Sequence, residues 1–511
     1  MEKKKIIVVG AGPGGLTGGM ILAHRGAEVE IFEKEDRPGG RNRDITLGDF
    51  KFDTGPTFLM MKYVLEEMFE ETGRRASDYL EFVKLDPFYR LQFPDKRFYP
   101  SGNTEKMKEQ IAEVFPGNEK GFEKFMKKEG KRFESLIPCL QKDYAKLRAF
   151  LDPIFLKAAP RLAVGRTLYE NLGRYYDSEE LKLAFTFQSK YLGMSPWDCP
   201  ALFTILSYME YKYSIYHVTG GLNMISKAME KVFKEEGGKV HYNSEVKRVI
   251  TEERKVRGVE LSGGEKVMAD EVIINSDFGY TATNLLPREK LKKWSPEKLE
   301  KKNFSCGTFM LYLGLGKKYD TVNHHNIIFA DDYRGNVETM FNEHKMTDDF
   351  SFYIQNPSVT DPTLAPEGKS AVYVLVPVPN NRSKIDWGKE APDFRERVIE
   401  RIIQRTEMKD IREHIEAEKM ITPREWEDEY NVYIAAEFNL GHDLNQMLYF
   451  RPHNKFEELD NLYLTGGGTH PGSGLPTIYE SGRISANLIS RKYGLPYKKP
   501  SFDPKKILEN A

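Results

Sequence analysis

Cysteine is scarce in this sequence, since 511 residues contain only Cys139, Cys199 and Cys306, far apart from one another. So sparse and odd a set excludes a disulfide framework and favours a reducing compartment. No cysteine or third histidine stands near the adjacent pair His324-His325, so no metal site is predicted there. We interpret the pair as a polar loop or the end of a strand.

An excess of charge of either sign is also missing. Lysine and arginine total 76 and aspartate and glutamate 77, so no overall field favours nucleic acid and no such partner is expected. No apolar segment approaches the roughly 20 residues that span a bilayer. The length and the 40% hydrophobic content predict a globular protein of two or three domains. We expect a cytoplasmic protein that can still lie on a membrane surface.

What the sequence does contain begins with a nucleotide-binding pattern. The apolar run 6–9 predicts a buried parallel strand, and Gly10-Ala11-Gly12-Pro13-Gly14-Gly15 follows it at once. A helix is predicted over about 14–25, and a second strand over 29–32 ends at Glu33. Strand, glycine loop, helix, strand and acid stand in the order of a dinucleotide-binding βαβ unit.

Each part of this pattern has a physical reason. Gly10 permits the tight turn, Gly12 lets the backbone approach a pyrophosphate, and Gly15 lets helix and strand pack closely. The Glu33 carboxylate would accept hydrogen bonds from an adenosine ribose and repel a 2′-phosphate. The unit therefore predicts a dinucleotide site.

The residues after the second strand favour FAD over NAD. Gly39-Gly40-Arg41 follows Glu33, where an NAD dehydrogenase usually continues into a helix, and Phe52-Asp53-Thr54-Gly55-Pro56-Thr57 comes shortly afterwards. The turn would place the Arg41 guanidinium and backbone N–H groups beside the diphosphate. The alternative, that Arg41 is a solvated surface charge, stays open.

A second glycine loop near the C-terminus indicates which end of the cofactor lies there. A short strand at 462–464 leads into Gly466-Gly467-Gly468, and a helix is predicted to start near Leu475-Pro476. Glycines allow close approach to a flat ligand, and a helix N-terminus presents free N–H groups. The loop is interpreted as closing over the flavin ring.

Strand patterns follow at 239–242 and 245–250, and the strand pattern at 271–276 returns to the nucleotide sheet late in the chain. We therefore predict an α/β fold with a discontinuous Rossmann-type FAD-binding domain, a mixed-sheet substrate domain and a helical, membrane-facing insertion. The predicted boundaries are 1–75, 215–298 and 445–495 for FAD binding, 76–108 and 299–444 for substrate binding, and 109–214 for the helical lid.

The chain resembles the bacterial-type phytoene desaturases, FAD-dependent carotenoid desaturases of the flavin amine oxidase superfamily, over nearly its whole length. The most specific shared motifs are Tyr449-Phe450-Arg451-Pro452-His453-Asn454 and the run from Gly468 to Pro476. The chain departs from the family at His217-Val218-Thr219-Gly220-Gly221, where Tyr-Pro-Lys-Gly-Gly is common, and at Thr477–Glu480. Those departures leave a thirty-carbon precursor, or a later pathway intermediate, open beside phytoene.

The resemblance implies desaturation by hydride transfer to flavin N5, with a proton leaving the neighbouring carbon. It also implies a lipophilic polyene substrate, and a quinone or oxygen as electron acceptor. Lys157 matches a basic residue near the family's substrate channel and is the one catalytic candidate, although Ile154 stands where an acid is usual. The expected FAD contacts are Gly10, Ala11, Gly12, Gly14, Gly15, Glu33, Lys34, Gly40, Arg41, Pro56, Thr57, Val246, Gly467, Gly468, Gly474, Leu475 and Pro476.

The segment from Tyr144 to Tyr176 mixes apolar and basic residues, which predicts amphipathic helices at the edge of an anionic bilayer. Packing against the rest of the protein is the alternative. Three other functions stay open: a carotenoid isomerase, ketolase or saturase on the same scaffold, a non-catalytic prenyl-lipid-binding protein of this fold, and an amine oxidase.

Overall fold

The structure is a computed structural model that describes residues 3–498. Strands and helices alternate along these residues. The strands are β1 Lys5–Val9, β2 Glu28–Phe32, β3 Asp44–Leu47, β4 Phe50–Asp53, β5 Leu59–Met60, β6 Phe82–Lys84, β7 Arg90–Gln92, β8 Arg97–Phe98, β9 Ile215–Val218, β10 Lys239–His241, β11 Val246–Glu252, β12 Lys255–Leu261, β13 Lys266–Met268, β14 Glu271–Ile274, β15 Gly307–Leu315, β16 His325–Ile328, β17 Phe352–Gln355, β18 Ser370–Val378, β19 Ile415–Ile421 and β20 Leu462–Leu464. The helices are α1 Pro13–His24, α2 Lys62–Glu70, α3 Thr104–Val114, α4 Glu119–Leu140, α5 Pro153–Ala158, α6 Leu168–Leu172, α7 Glu179–Ala184, α8 Ile205–Tyr213, α9 Asn223–Glu235, α10 Phe278–Tyr280, α11 Pro296–Glu300, α12 Tyr333–Glu338, α13 Trp387–Arg405, α14 Pro423–Asp428 and α15 Leu475–Tyr493.

One sheet collects parallel strands from distant parts of the chain, in the order β10-β2-β1-β14-β20. The central strand β1 is apolar because both of its faces are covered. Ile6 and Val8 pack with the residues of α1 on one face, and Ile7 and Val9 pack towards β14 and Trp294 on the other. This arrangement brings the end of β1 and the end of β20 to the same edge of the sheet.

A second, mostly antiparallel sheet has the order β19-β15-β18-β17-β16-β7-β8. The nine residues of β15 are all buried because the sheet is covered on both faces. Phe309, Leu311 and Leu313 pack with the apolar face of α13, whereas Met310 and Tyr312 pack towards the β3–β4 hairpin. The period of two along β15 therefore separates a structural face from a face that points to the candidate site.

Helices α3 to α8 form a mainly helical region between the early and late strands. Its 144–176 segment is more broken than the sequence predicted, with α5, α6 and short 3-10 turns in place of longer amphipathic helices. Pro153 and Pro160 explain the short segments, since proline has no backbone N–H to continue a helix. The α/β fold class is confirmed, and the domain boundaries stay predictions. Among residues 3–498, no helix combines the length and apolar character needed to cross a membrane.

Candidate cofactor and substrate site

The N-terminal glycine loop lies between β1 and α1. Helix α1 starts after Gly12 without a side-chain cap, so its positive end and first free N–H groups remain available to an anion. A Cβ on Gly15 would lie 2.3 Å from the carbonyl oxygen of Gly10, and Gly10 itself has a φ of +95°. A side chain at position 15 would push the helix away from the strand, and one at position 10 would strain the backbone. Ala11 and Gly14 complete the loop, buried between these contacts.

Glu33 ties the end of β2 to this loop. Its Oε2 accepts a hydrogen bond from the Ala11 N–H at 2.7 Å, and its Oε1 accepts one from the Glu35 N–H at 3.0 Å. Burial raises the pKa of Glu33 although both backbone donors oppose the rise. Each carboxylate oxygen can accept a further hydrogen bond, as ribose recognition requires. The neighbouring Lys34 ammonium donates to the Glu429 carbonyl, which engages its side chain with the protein.

Arg41 follows Gly39 and Gly40, both at positive φ, and points towards the centre of the site. Its Nη1 donates to the carbonyl oxygen of Glu437 at 2.6 Å, and its Nη2 lies 3.9 Å from Asp277 Oδ2. The side chain is not a free surface charge. The backbone of its turn contacts the N-terminal loop, since the Gly39 N–H donates to the Ala11 carbonyl at 2.8 Å, and the Arg41 guanidinium supplies a cation at the cavity.

The C-terminal loop is held by a buried guanidinium from the Arg-Pro-His-Asn motif. Arg451 donates to the carbonyl oxygens of Gly467 at 2.7 Å, Thr469 at 3.1 Å and Gly441 at 3.2 Å, with longer bonds to those of Leu440 and Gln446. Burial lowers the pKa of Arg451 to about 9. The motif therefore acts by organising the loop backbone.

The same loop ends at a second open helix N-terminus. Gly474, at a φ of +113°, precedes α15 and provides no side-chain cap, and Leu475-Pro476 form the first turn. At the other end of the loop, a Cβ on Gly468 would lie 2.5 Å from Phe278 Cβ. The loop is thus packed by protein on one side and leaves the N–H groups of α15 free on the other.

Asn275, just after β14, joins the two loops. Its Nδ2 donates to the Gly10 carbonyl at 3.4 Å, and its Oδ1 accepts from Thr465 Oγ1 at 3.0 Å. A Cβ on Gly12 would lie 2.7 Å from Asn275 Nδ2. Asn275 was not among the predicted site residues, although its position directly after a buried strand of the nucleotide sheet could have indicated a role at the site.

Three tyrosines of the second sheet hold the loop 54–57, which follows β4, through hydrogen bonds. Tyr312 donates to the Thr54 carbonyl at 2.6 Å, Tyr373 donates to the Gly55 carbonyl at 3.0 Å, and Thr57 Oγ1 lies 2.9 Å from Tyr353 Oη. Pro56 and Thr57 both line the cavity described next. Val246, in contrast, lies at the start of β11 in the apolar core with Val9 and Phe32, outside that cavity.

An apolar cavity of about 460 Å³ lies between these loops and the helical region. Arg41, Pro56, Thr57, Gly467, Gly474, Leu475 and Pro476 line one end of it. The remaining wall is mostly aliphatic and aromatic, including Phe58, Phe133, Ile137, Phe187, Phe203 and Met209. Seven of the predicted cofactor residues therefore line one end of this apolar cavity.

Two further ionisable groups in the cavity wall, Lys190 and Glu437, were not predicted from the sequence. Burial lowers the pKa of Lys190 to about 8, and its Nζ lies 4.9 Å from the centre of the Tyr333 ring. Burial raises the pKa of Glu437 to about 8, opposed by Arg41 and assisted by Asp277. The Glu437 Oε1 has no hydrogen-bond partner among the described residues. No local pattern in the sequence marks either residue.

Lys157 lies outside this chamber. Its side chain is exposed on α5 and lines a separate open cleft of about 1740 Å³, whereas Phe155 of the same helix lines the cavity. The helix turns Lys157 away from the place where a substrate bond would react. Its catalytic role stays a prediction that this geometry does not support.

The residues present fit FAD. Two uncapped helix N-termini, at α1 and α15, can receive anionic or carbonyl oxygens, and Arg41 supplies a cation in the cavity wall that the start of α15 also lines. The glycines at these ends leave no space for other side chains, and Glu33 offers acceptors at the far end. FAD would span from Glu33 to the mouth of the apolar cavity, where its chemistry would be needed.

Comparisons with known proteins agree with this geometry. A family described as flavin containing amine oxidoreductase matches residues 13–490. The chain is 54% identical over 495 residues to a 4,4'-diapophytoene desaturase (4,4'-diapolycopene-forming) of Methylomonas sp, covering 97% of each chain. It is 37% identical to a zeta-carotene-forming phytoene desaturase of Myxococcus xanthus, covering 96% of this chain and 94% of that one.

The fold also resembles a solved structure, an oxidoreductase from Methanosarcina mazei. The TM-score is 0.61 at 18% identity, and the match covers 95% of this chain and 100% of the other. At this identity the likeness concerns the fold alone.

Proposed function

The chain belongs to the flavin-containing amine oxidoreductases, in the branch of the bacterial carotenoid desaturases, and we propose that it desaturates a diapophytoene-like polyene precursor. It is an FAD-dependent oxidoreductase that forms carbon–carbon double bonds. The observation that carries the proposal is the apolar cavity that Arg41, loop 54–57 and the C-terminal glycine loop line at one end. The thirty-carbon substrate is favoured over a phytoene-like one because the relative that shares 54% of its residues is named for it.

When bound, FAD supplies a hydride acceptor, which the side chains of the protein cannot supply. The chain itself contributes binding, orientation and the exclusion of water. Both helix N-termini and Arg41 fix the cofactor, and the tyrosines behind loop 54–57 fix the wall against which the polyene lies. The aliphatic and aromatic lining keeps water from the positive charge that develops along the polyene.

Membrane association is the second part of the proposal. Leu147, Leu151 and Val164 expose 63%, 74% and 69% of their surfaces, and Arg148 and Arg161 lie in the same segment. An exposed apolar and basic patch suits a peripheral, monotopic position on an anionic bilayer. Phe155 and Leu162 of that segment line the cavity, which supports entry of the substrate from the membrane side.

The substrate is tested by reconstituting the FAD-loaded protein in liposomes that contain either diapophytoene or phytoene. The visible absorption of the extracted pigment should shift to longer wavelength, and more with diapophytoene. An unchanged spectrum with both precursors contradicts desaturation, and a larger shift with phytoene reverses the choice of substrate. Product analysis separates the isomerase, ketolase or saturase alternative, because only desaturation lengthens the conjugated system.

Membrane binding is tested by sedimentation with anionic liposomes. The protein should pellet with them and be partly released by salt. Leu151→Glu should weaken pelleting, with Met268→Glu on an exposed strand elsewhere as the matched control. Equal pelleting of all three proteins contradicts the assigned patch. We further propose that oxygen or a quinone reoxidises the flavin, which anaerobic turnover with and without added quinone distinguishes.

A further inference from the structure

Three histidine rings lie in contact inside the protein, behind loop 54–57. His325 begins β16, as a strand-end interpretation requires, yet both members of the pair are buried. The ring centres of His324 and His325 are 4.3 Å apart, and those of His324 and His217 are 4.8 Å apart. One nitrogen of each ring has no hydrogen-bond partner among the described residues: Nε2 of His324, Nε2 of His325 and Nδ1 of His217.

The inner end of this row reaches the substrate cavity. His325 Nδ1 lies 2.7 Å from Tyr353 Oη, and Tyr353 Oη lies 2.9 Å from Thr57 Oγ1. Both Tyr353 and Thr57 line the cavity at its flavin end. Phe58, another cavity residue, stacks on the His325 ring at 4.1 Å and fixes its orientation.

The outer end of the row reaches solvent. His217 Nε2 lies 2.9 Å from Asp361 Oδ2, which also accepts from the Gly220 N–H at 2.7 Å. Asp361 Oδ1 accepts from the hydroxyl and the N–H of Thr363, an exposed residue. His324 has a second outlet through Nδ1, 2.9 Å from the hydroxyl of the half-buried Thr360.

The charges around the rings suit proton passage rather than proton storage. Burial lowers the pKa of His324 and His325 well below the ordinary value, so both rings are neutral at rest. Burial acts to raise the pKa of Asp361, but hydrogen bonds from His217 and Thr363 outweigh it and keep the carboxylate ionised. The other titratable groups that face this row are Asp53, Tyr353 and Tyr373. Among the described residues, no group of three or more metal-ligating side chains is arranged to hold an ion.

We propose that the row Tyr353, His325, His324, His217 and Asp361 is the exit path for the proton that desaturation removes from the polyene. The inference rests on the proposed function. It assigns a catalytic role to Tyr353, which touches the cavity, and relay roles to the residues behind it. His217 is one of the positions where the chain departs from the family's common sequence.

The step balances as follows. Desaturation breaks two C–H bonds: one leaves as a hydride to the flavin, and the electron pair of the other becomes the second bond of the new C=C. That second hydrogen leaves as a proton to Tyr353 Oη while the phenol proton passes to His325 Nδ1. His325 then releases its Nε2 proton to the unpartnered Nε2 of His324 when small ring rotations bring these two nitrogens within hydrogen-bond distance. From His324 the proton leaves past the Thr360 hydroxyl, or it crosses to the unpartnered Nδ1 of His217 and leaves past Asp361 and Thr363.

The first test is the rate of anaerobic flavin reduction by the polyene substrate, followed by loss of flavin absorbance. Tyr353→Phe and His325→Gln should each slow this step about a hundredfold, the usual size of a positioned acid–base contribution. Added imidazole should partly restore His325→Gln, because a small base can replace the missing ring, whereas a merely structural defect would not respond. Flavin absorbance before mixing reports folding and cofactor binding.

Tyr373→Phe is the matched control. It removes a phenol that supports the same loop through the Gly55 carbonyl but, among residues 3–498, has no hydrogen bond to a histidine. It should alter FAD affinity without producing imidazole rescue. Wild-type reduction rates in Tyr353→Phe and His325→Gln would overturn the relay while leaving the desaturase intact. Failure of the wild-type protein to be reduced by either precursor would instead overturn the proposed function.

A second readout needs no turnover. Nitrogen NMR of ¹⁵N-histidine-labelled protein, with signals assigned by His217→Gln, His324→Gln and His325→Gln, reports the protonation of each ring. The signals of His324 and His325 should be those of neutral rings at neutral pH, and should change only below the pH at which an ordinary imidazole titrates, because burial lowers the pKa of both rings. Rings that are protonated at neutral pH would contradict the relay, since a charged ring cannot accept the proton.

Discussion

The two glycine loops do the same work by different means. The N-terminal loop is shaped mainly by its own neighbours along the chain, since β1, α1, β2 and Glu33 all lie within the first forty or so residues, and Asn275 adds a distant contact at Gly10 and Gly12. The C-terminal loop is shaped from outside, by the Arg451 guanidinium and by Asn275 after β14. The local pattern of glycines predicts both loops, but it does not show which distant residues hold the second one in place.

The largest effect is expected from removing the Arg451 guanidinium, which holds the C-terminal loop. Arg451→Met should cost about 3–5 kcal/mol of stability, because it leaves several buried carbonyls of the C-terminal loop without a donor. We expect little folded, flavin-bound protein from this variant, measured as soluble yield and bound FAD. Arg451→Lys should recover part of the loss, since an ammonium cannot reach all the same oxygens. A yellow, stable Arg451→Met protein would contradict the assigned role.

The second variant strains the local loop. Gly15→Ala places a Cβ 2.3 Å from the Gly10 carbonyl oxygen, so α1 must move away from β1. We expect FAD affinity to fall about a hundredfold, measured by flavin fluorescence on titration, which corresponds to about 2.7 kcal/mol. Gly263→Ala is the control, because a Cβ there meets nothing within 4 Å. Equal affinity in both variants would refute the close packing.

The third variant cuts the link between the loops. Asn275→Ala removes one long and one ordinary hydrogen bond, to the Gly10 carbonyl and from Thr465. The expected loss is about 1–2 kcal/mol of stability in urea unfolding. Because both loops lose a partner, the loss should be larger with FAD bound than without it. A loss that ignores FAD would show that the link supports only the sheet.

The smallest effect concerns Glu437, where the loops face the cavity. Its pKa is raised by burial to about 8, so its stability contribution is complete below about pH 4.5 and is lost as pH rises through 8. Glu437→Gln cannot ionise and should therefore keep the stability that the wild type loses between pH 5 and pH 9. Thermal unfolding of the flavin-free proteins at both pH values measures this. A parallel pH dependence would contradict the raised pKa.

The same contrast explains how much could be predicted from the sequence. The β1–α1–β2 unit was predicted with its ends within about one residue, because apolar runs and glycines are local signals. The fold class and the meeting of the two loops at one edge follow from the same reasoning. Glu437, Lys190 and the contact of His217 with His324 could not be predicted, because each depends on packing between segments far apart in sequence.

In the helical segment 144–176, by contrast, a prediction from local composition was partly wrong. Apolar and basic residues at 144–176 predicted amphipathic helices, but the prolines divide the segment into turns and helices of five or six residues. Composition there indicated a surface that is apolar and basic, and the exposed Leu147 and Leu151 agree with that. It gave poor guidance on direction, which is why Lys157 points into the outer cleft and Phe155 into the cavity.

The strand order of the nucleotide sheet has a consequence for synthesis of the protein. β1 ends at Val9, whereas its sheet is completed by β20, which starts at Leu462, and the face of α1 is covered by α15. Contacts of such long sequence separation form late and slowly. The ribosome must therefore synthesise nearly the whole chain before the cofactor site can form. Flavin binding by a nascent chain would then show that its synthesis is nearly complete. We expect a chain that ends before α15 to bind no flavin.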